Sequence, residues 1–245
     1  MKMRENNIKI MIVSGPILLF LVMMAMNLSL YSAQEIRPAV VGNPMPDFSL
    51  ESYQGKQVTL SGFKGKTIIL IFPRGLAAEG HWCHVCPYQY LELVEFDKMQ
   101  KLREKHNTEI LFVLPYDLSG VSEWVEQFSV LLNDIDNWKN PENPDDLDDR
   151  GKQRMTMAQK YFPMDFAYKK GEIPFPFPIL VDSQKKISKG LGLFTTEWRG
   201  SKADQNIPAV FIVDEERIVQ FKYISQNTFD RPSPEYLIKI LSCIK

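Results

Sequence analysis

A chain of 245 residues with 44% hydrophobic side chains can bury one sizeable core, so a single domain with an appendage is the expectation. A net charge of −1 leaves no basic footprint for nucleic acid, and the ordinary composition excludes a wholly disordered chain. The appendage is residues 1–35. Lys2, Arg4 and Lys9 precede a charge-free run, residues 10–34, whose apolar centre is residues 10–26. Such a run is a secretory signal peptide or an uncleaved membrane anchor. Ala33 offers a small residue for cleavage, but Tyr31 is bulky at the position two before it. Basic residues ahead of the run keep the N-terminus inside. Residues 36–245 are then expected outside the cytoplasm, periplasmic or anchored to the membrane, in a compartment that permits disulfides.

From there the elements follow in order. Pro38, Pro44 and Pro46 predict an extended, turn-rich entry. Residues 49–60 read as a hairpin turning at Gln54-Gly55-Lys56. Residues 67–72, Thr-Ile-Ile-Leu-Ile-Phe, suit a central strand buried on both faces. A loop over residues 73–80 leads to His81-Trp82-Cys83-His84-Val85-Cys86-Pro87, and a helix is predicted over residues 87–105 with Tyr88, Leu91, Met99 and Leu102 on its core face.

Strand, Cys-x-x-Cys, helix is the layout of a redox dithiol. Only the thiolate is a nucleophile, and a helix N-terminus favours negative charge. The two-residue spacing lets one sulfur reach the other, so a mixed disulfide can resolve within one chain. Two other readings use the same residues. One is an inert structural disulfide. The other is a soft copper or zinc site completed by His81 or His84, although no second Cys pair and no paired histidine spacing accompanies it. Histidines so placed more commonly tune the neighbouring thiol.

Residues 109–114 form a second buried strand, and residues 121–132 an amphipathic helix through Val121, Trp124, Val125, Phe128 and Leu132. Residues 133–150 carry six aspartates: Asp134, Asp136, Asp145, Asp146, Asp148 and Asp149. They lack the Gly and terminal Glu of a calcium loop, so a solvated surface loop is expected. A short helix over residues 154–161 and an ordered aromatic loop over residues 164–177 follow. Residues 177–182 read as a strand, 185–190 as a short helix, and 208–213 and 217–223 as a hairpin. Ser233 and Pro234 start the last helix, with Leu237, Ile240 and Leu241 inward. Cys243, at its end, is expected as a small buried hydrophobe rather than a resolving or intermolecular thiol.

Three segments carry a resemblance: Gly42-Asn43-Pro44-Met45-Pro46-Asp47-Phe48-Ser49-Leu50, residues 177–182, and Ile207-Pro208-Ala209-Val210-Phe211-Ile212-Val213-Asp214. Through them the chain resembles the thioredoxin-like superfamily from about residue 40 to residue 241. Within it, the chain resembles the redoxin group, the alkyl hydroperoxide reductase and thiol-specific antioxidant family. Phe72-Pro73-Arg74-Gly75 followed by Trp82-Cys83 is similar to a branch with Arg-Gly just before Trp-Cys, with extra residues 76–81 between. The resemblance implies an α/β thioredoxin-like fold, a central mixed sheet flanked by helices, with residues 118–172 as a mostly helical and loop insertion. It implies that Cys83 attacks and Cys86 resolves. Pro208 matches a substrate-binding cis-proline, and Trp82, His84 and Arg74 are tuning residues. The redox-active disulfide serves in place of a bound cofactor, and no metal is implied.

The expected activity is therefore an exported thiol–disulfide oxidoreductase. Its partners are a protein or small-molecule disulfide or thiol and a membrane or extracytoplasmic electron donor, with no nucleic acid. The N-terminal segment, if uncleaved, would add the membrane. The alternative is a thiol peroxidase of the same superfamily. Against it, the residue three before Cys83 is Gly80, where the peroxidase pattern has Thr, and the family's second Arg falls near Pro208. The further alternative is a copper or zinc carrier using Cys83, Cys86 and a His.

Overall fold

A computed structural model describes residues 39–166, 168 and 171–244. They belong to one compact unit spanning residues 37–245. The charge-free N-terminal run lies outside the described residues. Among the described residues no helix is long and apolar enough to cross a membrane.

The six residues of β3 (Thr67–Phe72) are buried on both faces, as their unbroken apolar run predicts. This strand is the middle of a five-stranded sheet. It pairs in parallel with β6 (Thr108–Leu114), which pairs in parallel with β7 (Ile179–Val181). On its other side it pairs antiparallel with β10 (Ala209–Val213), which pairs antiparallel with β11 (Val219–Ile224). The order is β11-β10-β3-β6-β7, a mixed sheet as the resemblance implies.

Period-two alternation divides the core. Ile69, Ile71, Ile110, Phe112, Val210 and Ile212 share one cluster with the helices α1 (Val85–Gln100), α3 (Leu118–Glu126), α4 (Phe128–Lys139) and α7 (Pro234–Leu241). Their neighbours Ile68, Leu70, Phe72, Leu111, Val113 and Phe211 are buried outside that cluster. The entry hairpin is β1 (Ser49–Glu51) and β2 (Gln57–Thr59), in the expected place.

Several boundaries differ from the sequence reading. The helix after the dithiol starts at Val85 and breaks at Lys101, which is left-handed, before a four-residue α2 (Leu102–Lys105). Met99, in the last turn of α1, is 60% exposed and does not join the predicted core face. The amphipathic helix is really two, α3 and α4, joined at Gln127. The expected aspartate-rich loop is shortened from both ends. Phe128, Leu131 and Ile135 continue one buried stripe to Lys139, and Asp134 and Asp136 lie on the less buried side of α4. Asp148 then caps α5 (Asp149–Tyr161) by accepting from the Gly151 N–H at 2.7 Å.

The third predicted strand is trimmed to β7 because Asp182 turns to cap α6 (Lys186–Gly190), accepting from the Ser188 N–H at 2.8 Å. Two hairpins were not anticipated. One is β4 (Leu76–Ala78) with β5 (His81–Trp82), inside the expected loop. The other is β8 (Phe194–Trp198) with β9 (Ser201–Asn206). Cys243 is exposed, contrary to the buried role expected of it, because the chain leaves α7 at Leu241.

One charge sits poorly in this core. Burial, and then the Glu235 charge on α7, push the Glu92 carboxyl on α1 from 4.5 up to about 7. The folded chain therefore holds a proton that the unfolded chain has released, and stability falls as pH rises from 4.5 through 7. Glu92→Gln is expected to remove that fall, leaving the variant about 1–3 kcal/mol more stable than the parent at pH 8. Urea unfolding at pH 5 and pH 8 checks it, and an equal pH response in both proteins contradicts it.

Candidate active site

The dithiol is built where β3 ends. The chain leaves Phe72, runs through Pro73 and Arg74, and makes the β4–β5 hairpin before entering α1. Gly75 is the tight point. It has φ +79°, and a Cβ there would lie 2.3 Å from the Tyr116 hydroxyl. That hydroxyl accepts from the Leu76 N–H and donates to the Asp204 carbonyl, both at 2.8 Å. The Gly75 carbonyl accepts from the Cys83 N–H at 2.9 Å. A side chain at Gly75 would thus push Tyr116 away and loosen the segment carrying Cys83.

Both site cysteines are free and buried, Cys83 2% exposed and Cys86 0%. Cys83 lies two residues before the first residue of the 16-residue α1, ahead of the N-cap His84, and Cys86 lies in its first turn. The Cys86 N–H donates to the Cys83 carbonyl at 3.2 Å, closing that turn. The two thiols are driven apart electrically. A hydrogen bond from Cys86 lowers the Cys83 thiol from 9.0 to about 6 against the opposing cost of burial. The charges of Arg231 and Arg74 and the Val85 N–H add to the lowering. Burial pushes the Cys86 thiol up, and the negative Cys83 beside it pushes further in the same direction. The pair is therefore one thiolate and one thiol near neutral pH, the asymmetry that nucleophile and resolver require.

The sequence-predicted tuning residues converge only in part. Trp82 is buried, donates from Nε1 to Glu123 at 3.0 Å, and meets Tyr116 edge-on at 5.3 Å. His84 turns away from the sulfurs toward α4. Its Nε2 lies 3.1 Å from Asp134 Oδ2, and its ring lies 4.4 Å from that of Trp138. His81 is an exposed hairpin residue whose Nδ1 meets the Glu79 carbonyl at 2.8 Å. Among the described residues no three His, Cys, Asp or Glu side chains converge as metal ligands would. Each histidine has a partner elsewhere, Asp134 for His84 and the Glu79 carbonyl for His81.

Arg74 is 5% exposed and held by the unanticipated hairpin. Its Nε donates to Gln205 Oε1 at 2.7 Å, and its guanidinium lies 5.1 Å from the Trp198 ring centre. Pro208 is buried one residue before β10, where Ala209 pairs with Phe72, so it stands beside the chain leaving β3. Its peptide bond is trans, unlike the cis form the resemblance implies, and no described peptide is cis.

Sequence reasoning missed Arg231 altogether. It sits in the loop between β11 and α7, with its side chain 7% exposed. Nη1 donates to Ser225 Oγ at 2.8 Å and to the Asn227 carbonyl at 3.2 Å, whereas Nε and Nη2 are buried without a partner. Burial pulls its guanidinium down, and the two site cysteines are the largest influences holding it up. A buried guanidinium with spare donors is costly unless an anion faces it. The sequence signal was slight: one Arg in Asp230-Arg231-Pro232, ahead of the helix cap.

Comparison with known proteins follows this geometry. The sequence pattern of the AhpC/TSA family matches residues 41–222. Among solved structures, the chain is similar to a reduced two-cysteine peroxiredoxin from Plasmodium vivax, with 20% identity, TM-score 0.50, and 84% of this chain and 81% of that one covered. It is similar also to a cysteine-to-serine mutant of peroxiredoxin 6 from Arenicola marina, with 14% identity, TM-score 0.51, and 84% and 73% covered. No curated protein matches in sequence.

Proposed function

The chain belongs to the AhpC/TSA family of thioredoxin-like redox enzymes, and from that premise we propose that it is an exported thiol–disulfide oxidoreductase working through Cys83 and Cys86. One observation carries the reading: the two thiols share a helix turn, the outer one lowered to about 6 and the inner one raised. Cys83 thiolate attacks one sulfur of a substrate disulfide, that S–S bond breaks, and one substrate thiolate leaves. Cys86 then loses its proton and attacks the Cys83 sulfur. This releases the second substrate thiol and leaves the protein disulfide, two electrons poorer. Export is supported by the charge-free run behind Lys2, Arg4 and Lys9. An extracytoplasmic donor would return the electrons.

A second reading is favoured by the two buried arginines. Cations beside a thiolate also suit peroxide reduction, in which Cys83 takes the distal oxygen as a sulfenic acid and releases water or an alcohol. Cys86 would then condense with it, expelling water.

Cys86→Ser separates them. Under the first reading the variant accumulates a mixed disulfide with its substrate, seen as an adduct by mass spectrometry and released by a reductant. An adduct on Cys243 but not on Cys83 would sink it. Under the second reading, stoichiometric peroxide leaves a dimedone-reactive Cys83 faster than it reacts with an ordinary thiol.

A further inference from the structure

Gln205, in β9, is a polar side chain with no exposed surface, and both ends of its amide are used. Nε2 donates to the Ser201 carbonyl at 3.2 Å and to the Ala203 carbonyl at 3.0 Å, both within its own hairpin. Those two carbonyls fix which way the amide faces. Oε1 is therefore turned to Arg74 and accepts from its Nε at 2.7 Å. A buried amide is ordinarily satisfied, but this one gives its acceptor to an arginine whose charge reaches the dithiol.

The rest of the hairpin grips the same arginine. The Asn206 N–H donates to the Arg74 carbonyl at 3.1 Å, and Gln205 pairs with Gly75 in an antiparallel bridge. Trp198 lies over the guanidinium, and Arg74 Nη2 donates to the Ala77 carbonyl at 3.3 Å. The same carbonyl accepts from Ser201 Oγ. Gly75 in turn holds the Cys83 N–H through its own carbonyl. A continuous line of contacts thus runs from Gln205 through Arg74 and Gly75 to Cys83. The charges match this arrangement. Asp204, the carboxylate next along β9, pairs instead with Lys185. Arg74 is oriented by a neutral acceptor, which fixes a guanidinium without cancelling its charge.

We propose that Gln205 is a positioning residue for the attacking thiol: it aims Arg74 so that the whole guanidinium charge falls on Cys83. The inference rests on Cys83 being the attacking thiolate, which both readings above share. Cys86, Arg231 and Tyr116 are the other titratable or charged groups coupled to Cys83, and Arg231 also faces Arg74. The test leaves these three in place, so only the Arg74 share of the effect moves.

The rate of Cys83 alkylation is measured against pH, in a Cys243→Ser background that removes the exposed thiol. Gln205→Met is expected to raise the midpoint by about half a pH unit, which leaves about twofold less thiolate at pH 6. In an Arg74→Met background the same substitution should add no more than about 0.1 unit, because a residue acting through Arg74 has nothing left to aim. Arg74→Lys keeps the charge without the planar fork that Gln205 meets, and is expected to raise the midpoint as Gln205→Met does. An unmoved midpoint in Gln205→Met, an equal rise with and without Arg74, or a parent-like midpoint in Arg74→Lys overturns the proposal. If Gln205→Met loses its melting transition, Arg74→Lys alone decides. A parent midpoint near 9.0 would remove Cys83 as the low thiol, and this proposal with it. A parent midpoint near 6 with unmoved variants would remove Gln205 alone.

Discussion

Cys83→Ser is expected to abolish turnover, a loss of about a thousandfold or more, under both the disulfide and the peroxide reading. The alcohol left behind has no accessible anion, and Cys86 cannot substitute. Cys86 is fully buried, and burial together with the adjacent sulfur pushes its thiol up, so it is neutral near pH 7. Replacing Cys86 has a different signature. Its hydrogen bond is the largest cause of the low Cys83 value. Cys86→Ser keeps a donor at that position, and Cys86→Ala does not. Rates of Cys83 alkylation against pH should therefore show a midpoint near 6 in the parent, a modest rise with Ser, and a larger rise toward 9.0 with Ala. Equal midpoints in the two variants would remove the hydrogen bond from the account.

Arg231→Met carries the second large effect. Its guanidinium is the strongest charge acting on Cys83, ahead of Arg74. Removing it is expected to move the alkylation midpoint upward, with about fivefold less thiolate at pH 6 for the first pH unit of rise and about tenfold less for each further unit. A buried substitution also acts on the fold. Nη1 lies 3.6 Å from Asp230 Oδ1 and donates to Ser225 Oγ and the Asn227 carbonyl, so methionine leaves those groups without their cation. The reduced variant should therefore melt lower than the parent as well as react more slowly at pH 6, and the alkylation midpoint separates the two effects. A lower melting temperature with an unchanged midpoint would make Arg231 a structural residue only.

The same shift links redox chemistry to stability. The folded Cys83 has lost its proton from about pH 6 upward, and an unfolded thiol keeps it until about 9.0. The unfolded chain thus binds more protons between those values, and the reduced fold gains stability as pH rises across that window. It loses the gain as pH falls through 6. Arg231→Met should narrow the window from its lower end.

Much of the architecture was legible because its causes are local. The apolar runs of β3, β6 and β10 and the Ser233-Pro234 start of α7 each depend on neighbours a few residues away. Ser233 does accept from the Tyr236 N–H, at 3.3 Å. What failed was also physical. The single helix expected over residues 87–105 breaks at the left-handed Lys101, and Met99, in the last turn before it, is exposed where helical spacing alone put it on the core face. The aspartates of α4 looked like loop because composition hides a buried stripe that runs on through Leu131 and Ile135.

By itself the sequence determined the dithiol, the strand before it and the helix after it, because thiol spacing and chain periodicity are properties of adjacent residues. Only the tertiary structure decided which groups surround those sulfurs. Asp134 reaches His84 across 50 residues, Gln205 holds Arg74 across 131, and Arg231 arrives from the far end of the sheet. Electrostatic influence acts through space, and no pattern along the chain records which distant charge the fold will bury beside a thiolate.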